Sequence, residues 1–398
     1  MIRKLNNFYK SITNNSLSYG QQKCMIQKGV LFTLACELDP TLEAIANAGV
    51  GKTKQTFALN MVTGWNAGAW IAVGALLATI TWGHFSTLNT GVATFMFAAV
   101  FPIGLIGIIF MGGADLFTGD CSITPFAGMT KKTNWASMLR NWVCALSGNF
   151  IGSVCFAWII ALSFLYGSGA AATKAMGVAA GKVAWGSSFY NWNYLGWALT
   201  YIFKGIVCNF LVNWAIWQAF KSNQNLMAKV FNIWFPIMAF VAVGSEHLIA
   251  NMYFIPVGIF YGAAVTWSQA FLINFAPVLI GNMLGGYIFI GLNYWYNTGA
   301  QQIDDDPNEP RNDVRGLKRM LQFLGPLFIG MGVLLGVFII IPGLIALALE
   351  IGVVPGTGTI TFLTLGNPME SIVIPLILIG YFIVMAMILR ILLRKVKY

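Results

Sequence analysis

Eight apolar runs dominate the chain, each of about twenty residues or more, the length a helix needs to cross a bilayer. They fall at roughly 57–82, 93–128, 141–166, 196–219, 228–264 and 268–296, and then at 320–347 and 371–393. Of 398 residues 58% are apolar and only 9% are charged. No soluble domain of this size needs so much apolar surface, so the chain reads as an all-α polytopic membrane protein. Two of the runs cannot be unbroken helices. The second is expected to break near 113–121 and the fifth near 244–250, where glycines and acids interrupt the apolar pattern.

The basic residues report the orientation. All of the 23 Lys and Arg except Lys174, Lys182 and Lys204 fall in 1–56, 129–140, 221–229, 301–319 and 390–398. With eight spans, these segments share one side. The reading is a multi-pass protein of the cell membrane with both termini cytoplasmic. The net charge of +10 therefore follows the membrane and does not signal nucleic acid. Residues 1–38 form a cytoplasmic tail with no signal-peptide pattern, 301–319 a charged cytoplasmic loop, and 320–398 a C-terminal extension with two spans. The six cysteines, Cys24, Cys36, Cys121, Cys144, Cys155 and Cys208, are scattered. Neither a disulfide framework nor a metal site is expected, and no cofactor.

Asp39 and Pro40 are a good helix start, an N-cap followed by proline at the first position. The amphipathic helix 40–56 is expected to lie along the membrane surface. Within it, residues 46–53 (Ala-Asn-Ala-Gly-Val-Gly-Lys-Thr) match a permissive phosphate-loop pattern. Such a loop needs a preceding buried strand, and here a helix precedes and a span follows. A basic helix end at the interface is the plainer reading. A membrane-anchored nucleotide-dependent protein is the alternative of another class, and a partner-recruiting anchor is a further one.

The breaks belong to a repeat. Gly113-Ala114-Asp115 in the second run matches Gly244-Ser245-Glu246 in the fifth, and Gly148-Asn149-x-x-Gly152 in the third matches Gly281-Asn282-x-x-Gly285 in the sixth. The offsets are nearly equal, 131 residues between the acids and 133 between Gly148 and Gly281. Three spans separate the copies, so the halves, about 57–166 and 196–296, are inverted. Inverted repeats with a broken helix in each half place a transport site at the midplane. The second break carries Glu246, His247 and Asn251 within six residues. Ionisable groups at membrane depth point to function by default, so His247 is the centre of the reading.

Phe101-Pro102-Ile103-Gly104-Leu105-Ile106 with Gly113-Ala114-Asp115-Leu116-Phe117-Thr118-Gly119 resembles the second-helix signature of the formate/nitrite transporter family. Glu246-His247-Leu248-Ile249-Ala250-Asn251-Met252 with Ile255-Pro256 resembles its fifth-helix signature, and Lys204 to Val212 its fourth helix. The resemblance covers roughly 38–296. It implies an aquaporin-like core of six spans in two inverted repeats, a homopentamer with one pore per protomer, and passage of a small monovalent anion, channel-like or coupled to a proton. Formate is the first choice, with nitrite, hydrosulfide and lactate as alternatives. The chain is then not an enzyme. Arg140 stands where the family usually has Lys, and the two C-terminal spans have no family counterpart. They are expected outside the pentamer or against an unknown partner.

On that reading the restarted half-helices present N-terminal amides to the anion. His247 gives a proton or hydrogen bond and Thr118 a hydroxyl, while Leu116 and Phe117 form an apolar constriction. Arg140 raises the local anion concentration. Asp115 and Glu246 support the breaks, and Asn149, Asn282, Asn209 and Asn251 bond across helices, Asn251 also orienting His247. His84 is expected in the loop after the first span, solvated. Asp120, an acid near an anion path, has no role readable from sequence.

Overall fold

The computed structural model describes residues 39–184, 193–222, 225–298, 300, 313–350 and 369–394. The tail 1–38, with Cys24 and Cys36, and residues 301–312 of the charged loop lie outside the described residues. Seven described helices are long and apolar enough to cross a membrane.

The chain begins with α1 (Pro40–Lys54), capped by Asp39 Oδ1 on the Thr41 amide at 2.8 Å. Its face of Leu42, Ile45, Ala46 and Gly49 is buried. That face packs on helix Phe117–Met129, so α1 closes one end of the bundle. Residues 46–53 are helical, with no strand before them among the described residues. The first span is α2 (Phe57–Phe85). It extends through His84, which is exposed in its last turn and not in a loop.

The second apolar run forms α3 (Thr90–Val100) and α4 (Ile103–Met111), stops, and resumes as α5 (Phe117–Met129). Then come α6 (Trp135–Leu162), a short α7 (Ala170–Lys182) and α8 (Asn193–Lys221). The fifth run behaves like the second, as α9 (Leu226–Ala242) and α10 (Leu248–Phe260). The sixth is α11 (Trp267–Asn297), with two π-helical turns. Glycine explains the stops. Gly112 and Gly113 have φ of +66° and +61°, and Gly244 +69°. A Cβ at these positions meets no atom, so backbone conformation rather than space demands glycine.

All thirteen residues of α5 and all thirteen of α10 are buried. These short helices are the centre of the molecule, walled by α2 with α6 and by α8 with α11. The walls cross very closely: a Cβ on Gly152 would lie 2.1 Å from the Trp65 carbonyl oxygen, and one on Gly281 2.2 Å from that of Ile202. The small-residue spacing read from the sequence is therefore a contact between backbones.

The C-terminal part of the charged loop is helical, α12 (Asp313–Gln322). Then α13 (Leu324–Leu335), a π-helical turn and α14 (Ile341–Glu350) make one span, and α15 (Ile374–Arg394) the other. This pair packs on α6 and α11. Phe382 stacks on Phe150 at 4.2 Å, and Gly330 sits against Trp142. Trp158 Nε1 donates to the Ser371 carbonyl at 2.8 Å, and the Glu350 carboxylate accepts from the Ser268 amide and hydroxyl. Large apolar side chains on α2, α3, α8 and α9 stay exposed, among them Leu59, Phe95, Phe203 and Phe231.

Candidate functional site

Each stop is held by the same device. At the first, Asn149 of α6 accepts the Phe117 amide on Oδ1 at 2.9 Å, and its Nδ2 donates to the carbonyls of Gly64 and Asp115, both at 2.8 Å. At the second, Asn282 of α11 accepts the Leu248 amide at 2.9 Å and donates to Gly205 and Glu246, both at 2.9 Å. The stops leave unsatisfied backbone groups at membrane depth, which an amide side chain with donors and acceptor can pair.

The acids sit on these stops and are matched by lysines. Asp115 is paired with Lys52 of α1, and its other oxygen accepts Asn60 Nδ2 at 3.0 Å and Asn141 Nδ2 at 2.7 Å. Lys52 also lies 2.7 Å from Asp120 Oδ1. That contact answers the question Asp120 raises: its charge is turned to a lysine. Glu246 accepts Lys182 Nζ at 2.8 Å and Asn251 Nδ2 at 2.7 Å, and Asn251 also donates to Asn274 Oδ1 at 2.8 Å. Asn251 thus supports Glu246, and its side-chain bonds do not go to the His247 ring.

His247 is the N-cap of α10, in extended conformation, with Nδ1 accepting the Ala250 amide at 3.1 Å. Its Nε2 is 2.9 Å from Thr118 Oγ1, in the first turn of α5. Since Nδ1 accepts, the neutral ring carries its proton on Nε2 and donates it to the Thr118 hydroxyl. The Thr118 carbonyl in turn accepts Asn209 Nδ2 and Asn213 Nδ2, each at 3.0 Å. The histidine and the threonine therefore join the N-termini of the two central half-helices.

A cavity of 190 Å³ reaches His247 from the end of the bundle that carries α7. Phe101, Phe240 and Phe254 line it, with Phe240 stacked on the imidazole at 5.7 Å. Lys174 and Lys182 line it too, Lys174 lying 4.4 Å above the Trp82 ring. The site thus combines two cations, an aromatic wall and a hydrogen-bonded His–Thr pair.

The sequence profile of the formate/nitrite transporter family matches residues 39–296. The chain belongs to the formate/nitrite transporter family. It is 38% identical over 274 residues to a probable formate transporter of Methanothermobacter thermautotrophicus, across 65% of this chain and 96% of that one. It is 34% identical over 257 residues to the formate channel BtFdhC of Bacillus thuringiensis, across 64% and 92%. Among solved structures it resembles an ion channel of the same family, with a TM-score of 0.55 and 27% identity, over 65% of this chain and 98% of that one. It also resembles a pentameric formate channel with formate bound, with a TM-score of 0.52 and 25% identity, over 60% and 96%.

Within this family fold, His247 and Thr118 meet, and Asp115, Glu246, Asn149, Asn282 and Asn251 lie at the stops. Leu116 and Phe117 are buried beside Thr118, with Phe117 edge-on to Trp142 at 6.3 Å. Arg140 is elsewhere. It starts α6 at the α1 end, bonds to Ser137 and faces Arg390 and Arg394. The sequence reading missed Lys52, Lys182, Asn141, Asn274 and the aromatic wall. Asn141 and Asn274 were findable, because they stand 133 residues apart, as Asn149 and Asn282 do.

Proposed function

We propose that the protein conducts a small monovalent anion together with a proton, formate first, through a pore in each protomer of a homopentamer in the cell membrane. The contact between His247 Nε2 and Thr118 Oγ1, at the floor of a lysine-flanked cavity, carries this reading. The family membership and the formate channels it resembles support formate over the other anions of the class. The distribution of basic residues supports an outward-facing cavity and cytoplasmic termini.

Lys174 and Lys182 draw the anion from water into the cavity. Stripping its remaining water is expensive beside apolar walls. At the floor the N-termini of α5 and α10 offer partial positive charge. A carboxylate beside the ring stabilises the imidazolium, which forms when Nδ1 releases the Ala250 amide and takes a proton from hydronium of the outside solution, relayed through cavity water that is left neutral. That proton passes to the carboxylate oxygen. Formic acid results, and the neutral imidazole recaps α10. The neutral acid then crosses the apolar constriction formed by Leu116 and Phe117.

The test is formate uptake into liposomes across about pH 5 to 8, comparing wild type with His247→Asn. Asparagine is itself a good N-cap, so α10 keeps its start. Wild-type uptake should steepen toward about tenfold per pH unit, the limit for one proton per anion, and the variant should lose that slope. A variant with the wild-type profile would leave His247 as a cap only. Parallel runs with nitrite, hydrosulfide and lactate rank the substrates.

A further inference from the structure

The C-terminal pair lies outside the family-matched region, yet one of its side chains is built into the α1 end of the core. Arg390, on α15, is only 9% exposed. Its Nη2 donates to the Gln55 carbonyl at 2.5 Å, its Nη1 reaches Cys144 Sγ at 3.6 Å, and its guanidinium lies 5.9 Å above the Phe57 ring. Burying a guanidinium is costly unless its donors are used, and here both Nη atoms have a partner while the buried Nε has none among the described residues. The carbonyl it grips is well chosen, because Gln55 is the C-cap of α1 and a helix C-terminus attracts a cation.

Gln55 is also where the first stop is anchored. Its Oε1 accepts Asn60 Nδ2 at 2.8 Å and Thr63 Oγ1 at 3.2 Å. Asn60 continues to Asp115 Oδ2, and the Thr63 carbonyl accepts the Asp115 amide at 2.8 Å. The Gln55 amide bonds back to Lys52, whose ammonium pairs with Asp115 and Asp120. All three routes from Gln55, through Asn60, Thr63 and Lys52, reach Asp115.

We infer that Arg390 is a positioning residue of the first stop. From the extension it fixes the α1–α2 junction, and through that junction it aims Lys52, Asn60 and Thr63 at Asp115. Only the transport side of this inference rests on the proposed function. The extension is then a working part of the core and not a passive outer layer. Another tether of the pair, from Glu350 to Ser268 of α11, provides an internal control.

The experiment compares amide hydrogen exchange in the assembled full-length wild type, Arg390→Met and Arg390→Lys, alongside formate uptake. In Arg390→Met, exchange across 55–63 should rise about tenfold or more, the equivalent of one lost charge-assisted hydrogen bond. Exchange at 247–252 and 266–270 should stay within about twofold of wild type. Formate uptake should fall several-fold, by roughly the weakening of one positioned contact, and lysine should restore part of both readouts. Unchanged exchange across 55–63 in an assembled Arg390→Met overturns the inference, and so does a rise spread evenly over all three segments. If Arg390→Met does not assemble, Arg390→Lys decides alone: a local rise at 55–63 of about threefold supports the inference, and none overturns it. A wild type that carries no formate removes the proposed function, while the exchange comparison still decides the role of Arg390.

Discussion

The two stops are built alike and finished differently. Each has an asparagine on a neighbouring span pairing three backbone groups, Asn149 in one and Asn282 in the other. Each has an acid held by a lysine from outside the broken helix, Asp115 by Lys52 and Glu246 by Lys182. They diverge at the residue that begins the second half-helix. Leu116 makes no side-chain cap, whereas His247 caps α10 and points its other nitrogen at Thr118. What the halves share keeps the stops in shape, and the residue they do not share, His247, is the one to which the proposed function assigns the proton.

The charges differ as well. Lys52 serves two buried carboxyl groups, and Lys182, which itself lines the cavity, serves one. Lys52→Met should therefore be the most damaging change, destabilising the purified assembly by about 3–5 kcal/mol, because it leaves both acids without their cation. Lys182→Met should cost less, about 2 kcal/mol, since it strands one carboxylate and not two, and Glu246 keeps its bond from Asn251. Its larger effect should fall on formate uptake. Thermal unfolding of both variants in detergent checks this, and equal losses would break the proposed difference between the stops.

A symmetric pair sharpens the same comparison. Asn149→Ala and Asn282→Ala each strand the same three backbone groups, so each should lose about 3 kcal/mol. The two losses should agree to within about 1 kcal/mol. A clear gap in unfolding midpoints would show that the halves only resemble each other in drawing.

Much of this was legible in the sequence for physical reasons. Hydropathy marks spans because lipid offers the backbone no partners. The matched offsets of the acids and of the Gly-Asn pairs exposed the repeat, and His247 stood out as a titratable side chain in an apolar run. The lysines were hidden because they lie outside the spans. Lys52 looked like a helix end at an interface, and only the packing of α1 on α5 turns it toward Asp115. The aromatic wall was hidden for the opposite reason. Phe101, Phe240 and Phe254 sit among many phenylalanines, and nothing in their spacing says which ones face a cavity. Arg390 could not be placed at all, since its partner Gln55 lies 335 residues away along the chain.

The smallest effect concerns a feature described only at the first stop. At the surface end of α1, Lys132 pairs with Glu43 and also donates to Asn47 Oδ1 at 3.3 Å, fastening the helix that carries Lys52. The Lys132 ammonium holds the Glu43 carboxyl below its ordinary pKa of 4.5. A carboxyl with a lowered folded pKa adds stability above its unfolded value and loses it as pH falls through the folded one. Both side chains are substantially exposed, so solvent screening limits the pair to about 0.5 kcal/mol. Glu43→Gln should therefore lower the unfolding midpoint slightly at neutral pH and match wild type only after the pH has fallen through the lowered folded pKa of Glu43, where both side chains are neutral. A loss above about 1.5 kcal/mol at neutral pH would mean that the surface pair, and not Lys52 alone, holds α1 against the first stop.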